Sequence, residues 1–170
     1  MKSKLLILDV DGVMTDGTKA YGPDGKVIFK RFCDHDFTAI KKFKSKGWEV
    51  CWLSADKTVN AAVAKDREID FWYSRDDDGT IDKVKWLAKL IEHYKITEYR
   101  HVIYVGDDLF DIPIMKALIS NGGSAYCTAN AVPQFKMVSG IKFLTKAGGY
   151  GAIMNLYNRM HPLDIIPPCH

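Results

Sequence analysis

Two aspartates one residue apart, Asp9 and Asp11, close an apolar run near the start of the chain. A second acidic pair, Asp107 and Asp108, closes another apolar run. Both pairs lie beside glycine, in Asp9-Val10-Asp11-Gly12 and in Gly106-Asp107-Asp108. In an open parallel sheet, ligands bind beyond the carboxyl ends of the strands, where loops and helix N-termini converge. Carboxylates crowded into such a crevice repel one another unless a cation lies between them, and ligation by oxygen alone suits Mg²⁺. That ion commonly joins protein carboxylates to phosphate oxygens and leaves phosphorus open to in-line attack. One carboxylate then serves as nucleophile, giving an aspartyl-phosphate, and another two residues on protonates the leaving oxygen. An isolated Asp-x-Asp also serves to cap a strand-to-helix turn, so the pair by itself leaves both readings open.

The elements that must position these residues follow from hydrophobic period. Residues 4–10 form an apolar run closed by Asp-Gly, the pattern of a central strand buried on both faces. Residues 18–21 and 27–32 flank Gly22-Pro23-Asp24-Gly25 and predict a β-hairpin inserted after that strand. Phe37, Ile40 and Phe43 share one helical face, with Asp36 as the expected N-cap and Gly47 as the stop. Strands are then expected near 49–54, 70–73, 101–105, 124–127 and 142–144, alternating with helices near 58–67, 81–94, 112–119, 131–138 and 151–160. Such alternation predicts an α/β fold, a doubly wound, mostly parallel Rossmann-like sheet with helices on both faces. Ser54 then ends the second strand of the sheet. A non-helical tail is expected from 161 to 170, where three prolines fall.

Composition narrows the classes. The 170 residues suit one domain with one core, and 47% apolar with 26% charged residues excludes a disordered chain. The formal charge of +3 is spread along the sequence, and Lys41-Lys42 is too short a basic run for a nucleic-acid arm. Nucleic acid is therefore an unlikely partner on sequence grounds. Cys33, Cys51, Cys127 and Cys169 form no CxxC pair, which predicts isolated thiols in a reducing compartment and no zinc site. The opening apolar run is too short for a secretory signal or a membrane span, so a cytoplasmic protein is expected. No P-loop pattern is present.

The longer pattern Asp9-Val10-Asp11-Gly12-Val13-Met14-Thr15-Asp16-Gly17 resembles the first motif of haloacid dehalogenase phosphatases, in the form found among the 3-deoxy-D-manno-octulosonate 8-phosphate phosphatases. Ser54, Lys83, the Gly106-Asp107-Asp108-Leu109-Phe110-Asp111 run and the Gly148-Gly149-Tyr150-Gly151-Ala152 segment follow in that family's order. The resemblance implies Asp9 as nucleophile and Asp11 as general acid, then base. It implies Mg²⁺ on the carboxylates of Asp9 and Asp107 and the backbone carbonyl of Asp11, with Ser54 and Lys83 on the phosphoryl oxygens. Asp108 and Asp111 would support Lys83 or metal-bound water. Asp111 is equally suited to N-cap the helix that carries Pro113.

Near 32–36 the subgroup has Arg or His followed by Asp, which marks His35 and Asp36 as candidate substrate contacts. Phe37 stands where the subgroup usually has glycine, and Asp56 replaces a basic residue often found there, with Lys57 a possible substitute. These departures bear on which small phosphorylated substrate fits. A receiver-like phospho-switch, a non-catalytic binding relative and a nucleic-acid 3′-phosphatase are the competing readings, and the Asp-x-Asp coming first in the chain disfavours the receiver. No independent cap domain fits between the motifs. A homo-oligomer, by resemblance a tetramer, is therefore expected to wall the crevice through Tyr21, Val27, Ile28 and Phe29 of the hairpin and Leu163, Ile165 and Ile166 of the tail.

Overall fold

The computed structural model describes residues 3–165. Its elements run β1 (Lys4–Leu8), β2 (Ala20–Tyr21), β3 (Val27–Phe29), α1 (Asp34–Ser45), β4 (Trp48–Ser54), α2 (Val59–Asp66), β5 (Asp70–Tyr73), α3 (Val84–His93), β6 (Val102–Gly106), α4 (Ile112–Ser120), β7 (Ser124–Cys127), β8 (Ile141–Phe143) and α5 (Ala152–Met160). Six of the strands form one parallel sheet in the order β5-β4-β1-β6-β7-β8, while β2 and β3 pair antiparallel as a separate hairpin. Strand order reverses direction at β1, so a crevice opens beyond the carboxyl ends of β1 and β6.

The continuous apolar sequence of β1 is explained by what covers it. Leu6 and Leu8 face a layer containing Ala39, Ile40 and Phe43 of α1, Ala64 of α2, and Ile153 and Leu156 of α5. Leu5 and Ile7 face Leu87 and Leu90 of α3 and Ile114, Met115 and Leu118 of α4 on the other side. All four β1 leucine and isoleucine side chains are fully buried, as a strand covered on both faces requires. Among the described residues no helix is long and apolar enough to cross a membrane.

Three local expectations are corrected. α1 begins at Asp34 with Cys33 at its N-cap, not at Asp36. Asp36 turns instead to the neighbouring helix α5, where its carboxylate accepts from the backbone N–H groups of Gly151, Ile153 and Met154 at 3.2, 2.8 and 3.0 Å. It therefore caps α5. The helix expected near 131–138 is a 3-10 segment, Pro133–Met137, whose N-cap Val132 donates its N–H to the carbonyl of Asp107 at 2.9 Å. The start of the tail makes a 3-10 turn at Pro162–Ile165; Ile166 lies outside the described residues, as do the side chains of Leu163 and Ile165.

Candidate active site

The loop after β1 is fixed by backbone bonds before any side chain is considered. The Asp9 N–H donates to the Val105 carbonyl at 2.9 Å, which ties the end of β1 to β6. The Met14 and Thr15 amides close back on the Val10 carbonyl at 2.9 and 3.0 Å. Gly12 sits inside this turn at φ +86°, a conformation that favours glycine. Its carbonyl accepts from the Thr128 hydroxyl at 3.2 Å and the Asn130 side-chain amide at 3.4 Å. Asn130 also accepts from the Gly148 N–H at 2.8 Å, and Gly148 packs so tightly that a β-carbon there would lie 1.9 Å from the Gly12 carbonyl oxygen. Sequence reading passed over Thr128 and Asn130, although their place just past β7 is a strand-end position of the same kind as Asp107.

Asp9, Lys83, Asp111 and Asp107 converge on one point. The Lys83 ammonium lies 2.8 Å from Asp9 Oδ1 and 2.7 Å from Asp111 Oδ1. Burial works against its charge, but Asp111 and Asp9 outweigh it and hold Lys83 protonated above its ordinary range. An ammonium has three donors and the described residues engage two, which leaves one. Asp111 accepts from Lys83, from the Tyr104 hydroxyl at 2.6 Å, and from the Asp107 and Asp108 amides at 2.9 and 3.1 Å. Its acceptor capacity is filled. It does not cap α4 with its side chain, whereas Asp108, exposed, caps the preceding turn through the Leu109 N–H at 2.6 Å.

Asp107 differs. Its Oδ1 is buried and without a hydrogen-bond partner among the described residues. Burial first, then the charges of Asp9, Asp111 and Asp108, raise its carboxyl to about 9. Burial likewise raises Asp9 to about 7, with Lys83 pulling the other way. One oxygen from each of Asp9, Asp107 and Asp111 lies within 4.8 Å of the others. A partnerless buried oxygen and two carboxyls driven toward neutrality fit a bound divalent cation, which would reverse both effects. With Asp111 already filled, Asp9 and Asp107 are the two free to hold it.

These residues open into a crevice of about 340 Å³, within the range of small-molecule sites, whose lining also includes Asp11, Lys19, Ser54, Asp56, Arg75 and Phe110. Ser54, buried at the end of β4, accepts from the Asp56 N–H and the Asn60 side chain at 3.2 and 3.1 Å. Asp11 is held by Lys30 and Asn60, two residues that sequence reading did not single out. Neither His35 nor Asp36 lines the crevice. His35 is exposed on the first turn of α1, and Asp36 is buried against α5. Lys57 lies over the Tyr73 ring, 4.9 Å from its centre, and is not part of the lining.

Comparison with known proteins gives relatives of one kind. No family model matches the chain. The 3-deoxy-D-manno-octulosonate 8-phosphate phosphatase KdsC of Escherichia coli K12 is 32% identical over 151 residues, covering 88% of this chain and 74% of that protein. The cobalt-bound form of the deoxy-D-mannose-octulosonate 8-phosphate phosphatase of Haemophilus influenzae superposes with a TM-score of 0.79 at 26% identity, over 94% of this chain and 87% of the other. The 3-deoxy-D-manno-octulosonate 8-phosphate phosphatase of Moraxella catarrhalis, solved with magnesium, phosphate and KDO, gives 0.77 at 27% identity, over 92% and 84%. The chain belongs to the haloacid dehalogenase family of phosphatases. Within that family it is similar to the KdsC enzymes.

Proposed function

We propose that the protein is a Mg²⁺-dependent phosphomonoesterase that acts through an aspartyl-phosphate on Asp9 and takes a small phosphorylated metabolite of the sugar-acid kind. The observation that carries the reading is the meeting of Asp9, Lys83 and Asp107, which sets a carboxylate nucleophile between a lysine with a spare donor and a carboxylate with a bare oxygen. The sugar-acid phosphate is supported by the substrate named for the similar enzymes and by the KDO bound in the Moraxella structure.

Mg²⁺ would be held by the carboxylates of Asp9 and Asp107 and the carbonyl of Asp11, and when bound it supplies positive charge against the phosphoryl oxygens. Asp9 attacks phosphorus, and Asp11 hands a proton to the departing alkoxide. Asp11 then takes a proton from water, whose oxygen attacks the phosphorus and frees Asp9. The third donor of Lys83 and the Ser54 hydroxyl bind phosphoryl oxygens, while Asp111 keeps Lys83 aimed. Asp108 supports the turn that carries Asp107. The same reading makes the chain a homo-oligomer, by likeness a tetramer, since Tyr21, Ile28 and Phe29 of the hairpin are 62%, 67% and 59% exposed and leave apolar side chains for a second copy to bury.

Acid quench during turnover tests this directly. Peptide mass spectrometry is expected to find phosphate on Asp9, and Asp9→Asn is expected to lower phosphate release by roughly 10⁴-fold or more. Turnover by Asp9→Asn within tenfold of the parent would exclude the mechanism.

A further inference from the structure

Lys30 is the least expected residue near the site. It belongs to the segment following β3, in a hairpin where Tyr21, Ile28 and Phe29 face solvent, yet its own side chain is wholly excluded from water. Its ammonium lies 2.8 and 3.1 Å from the two carboxylate oxygens of Asp11, 2.8 Å from Asp56 Oδ2 and 2.9 Å from Asn60 Oδ1. Those three partners match its three donors, so nothing is left over for a phosphoryl or substrate oxygen. Lys83, with one donor free, differs in this respect. Lys30 is thus placed to act on substrate only through Asp11.

Asp11 needs such a support. Its carboxylate stands at the crevice wall on a loop, with the Asn60 side-chain amide at 3.2 Å and Lys19 at 3.6 Å as its other contacts. Asp56 is the anchor on the far side. It takes both lysines, with Lys19 at 3.0 Å, and accepts from the Thr58 amide at 3.0 Å. Burial pushes its carboxyl up, but the bonds from Lys30, Thr58 and Lys19 outweigh that and hold it well below its ordinary range. We infer that Lys30 is a positioning residue, which fixes the Asp11 carboxylate for proton transfer to the leaving oxygen and makes the hairpin part of the catalytic frame. The inference rests on Asp11 being the general acid.

The test compares kcat/KM, which ends at phosphoryl transfer, for a poor leaving group (3-deoxy-D-manno-octulosonate 8-phosphate, a primary alkyl ester) and a good one (p-nitrophenyl phosphate). Misplacing a catalytic group by about 1 Å costs on the order of 10²-fold. Lys30→Met is expected to lower the alkyl value roughly 10- to 100-fold and the aryl value by no more than about threefold, because a good leaving group needs little protonation. Lys30→Gln keeps a donor toward Asp11. It is expected to recover part of the alkyl value, and it serves as the informative variant should Lys30→Met not fold. In an Asp11→Asn background Lys30→Met should cost nothing further. Equal losses on both substrates, or losses that multiply in the double variant, overturn the inference while leaving Asp11 selective for the alkyl ester. Asp11→Asn without that selectivity overturns the reading of Asp11 itself, and the inference with it.

Discussion

A β-carbon placed on Gly12 would lie 1.8 Å from Oδ2 of Asp107. The backbone of the first loop and the carboxylate after β6 thus touch with no room between them, and Gly12 also holds a positive φ that strains any other residue. Gly12→Ala must displace the Asp107 carboxylate. The expected result is a folded protein, by circular dichroism, whose kcat/KM falls by about 100-fold or more and whose Mg²⁺ requirement rises. An unchanged Mg²⁺ titration would remove Asp107 from the metal.

Without metal, stability should depend on pH in a defined direction. Asp9 and Asp107 titrate at about 7 and about 9 in the fold against an ordinary 3.8, so the folded chain keeps protons that the unfolded chain has already lost. Their contribution to stability is therefore lost as pH rises from about 4 through 9. A divalent cation needs both carboxylates ionised, so its binding releases protons and strengthens with pH. Melting curves in EDTA and in Mg²⁺ should differ little at pH 5 and by several degrees at pH 8.5. At about 100 times Kd the gain is about 2.7 kcal/mol. A Mg²⁺ shift that shrinks with pH would contradict the assignment.

Asp36 should matter for stability and not for turnover. Removing a buried carboxylate that takes three amide donors at the start of α5 leaves those donors unpaired, a loss of about 1–3 kcal/mol. Asp36→Ala is expected to lower Tm by several degrees with kcat/KM within about threefold. A KM rise of tenfold at unchanged Tm would return Asp36 to the substrate.

For the hairpin, light scattering at assay concentration is expected to give an oligomer. Ile28→Asp with Phe29→Asp should dissociate it, since each buries a charge at an apolar contact. A monomer with full activity would refute assembly as the source of the crevice walls.

Much of this site was legible because strand ends announce themselves. Asp9, Ser54 and Asp107 each follow a run that only a buried strand explains, so their convergence followed from the sheet. Lys30 was not legible. Its partners lie 19, 26 and 30 residues away, and one lysine after a short hairpin strand carries no periodic signal. Asp36 misled for a related reason. Its position beside an apolar helical period looked like a local cap, while its actual partners are more than a hundred residues on. Thr128 and Asn130 sat at a strand end as well, but they support the Gly12 carbonyl instead of facing the crevice, and pattern alone does not separate the two.

The contact between Gly148 and the Gly12 carbonyl also sets an order of assembly. β1 precedes the other described strands, yet the loop carrying its aspartates is closed by Thr128, Asn130 and Gly148. At about 5–20 residues per second, a ribosome reaches that glycine roughly 7–30 s after β1 is synthesised. Until then the nascent chain carries the neighbours of β1, β4 and β6, but aspartates whose loop is not yet closed. Ribosome-bound chains halted before the glycine pair would accordingly lack the metal response of the finished protein, and the catalytic end of the first strand would be among the last parts of the fold to set.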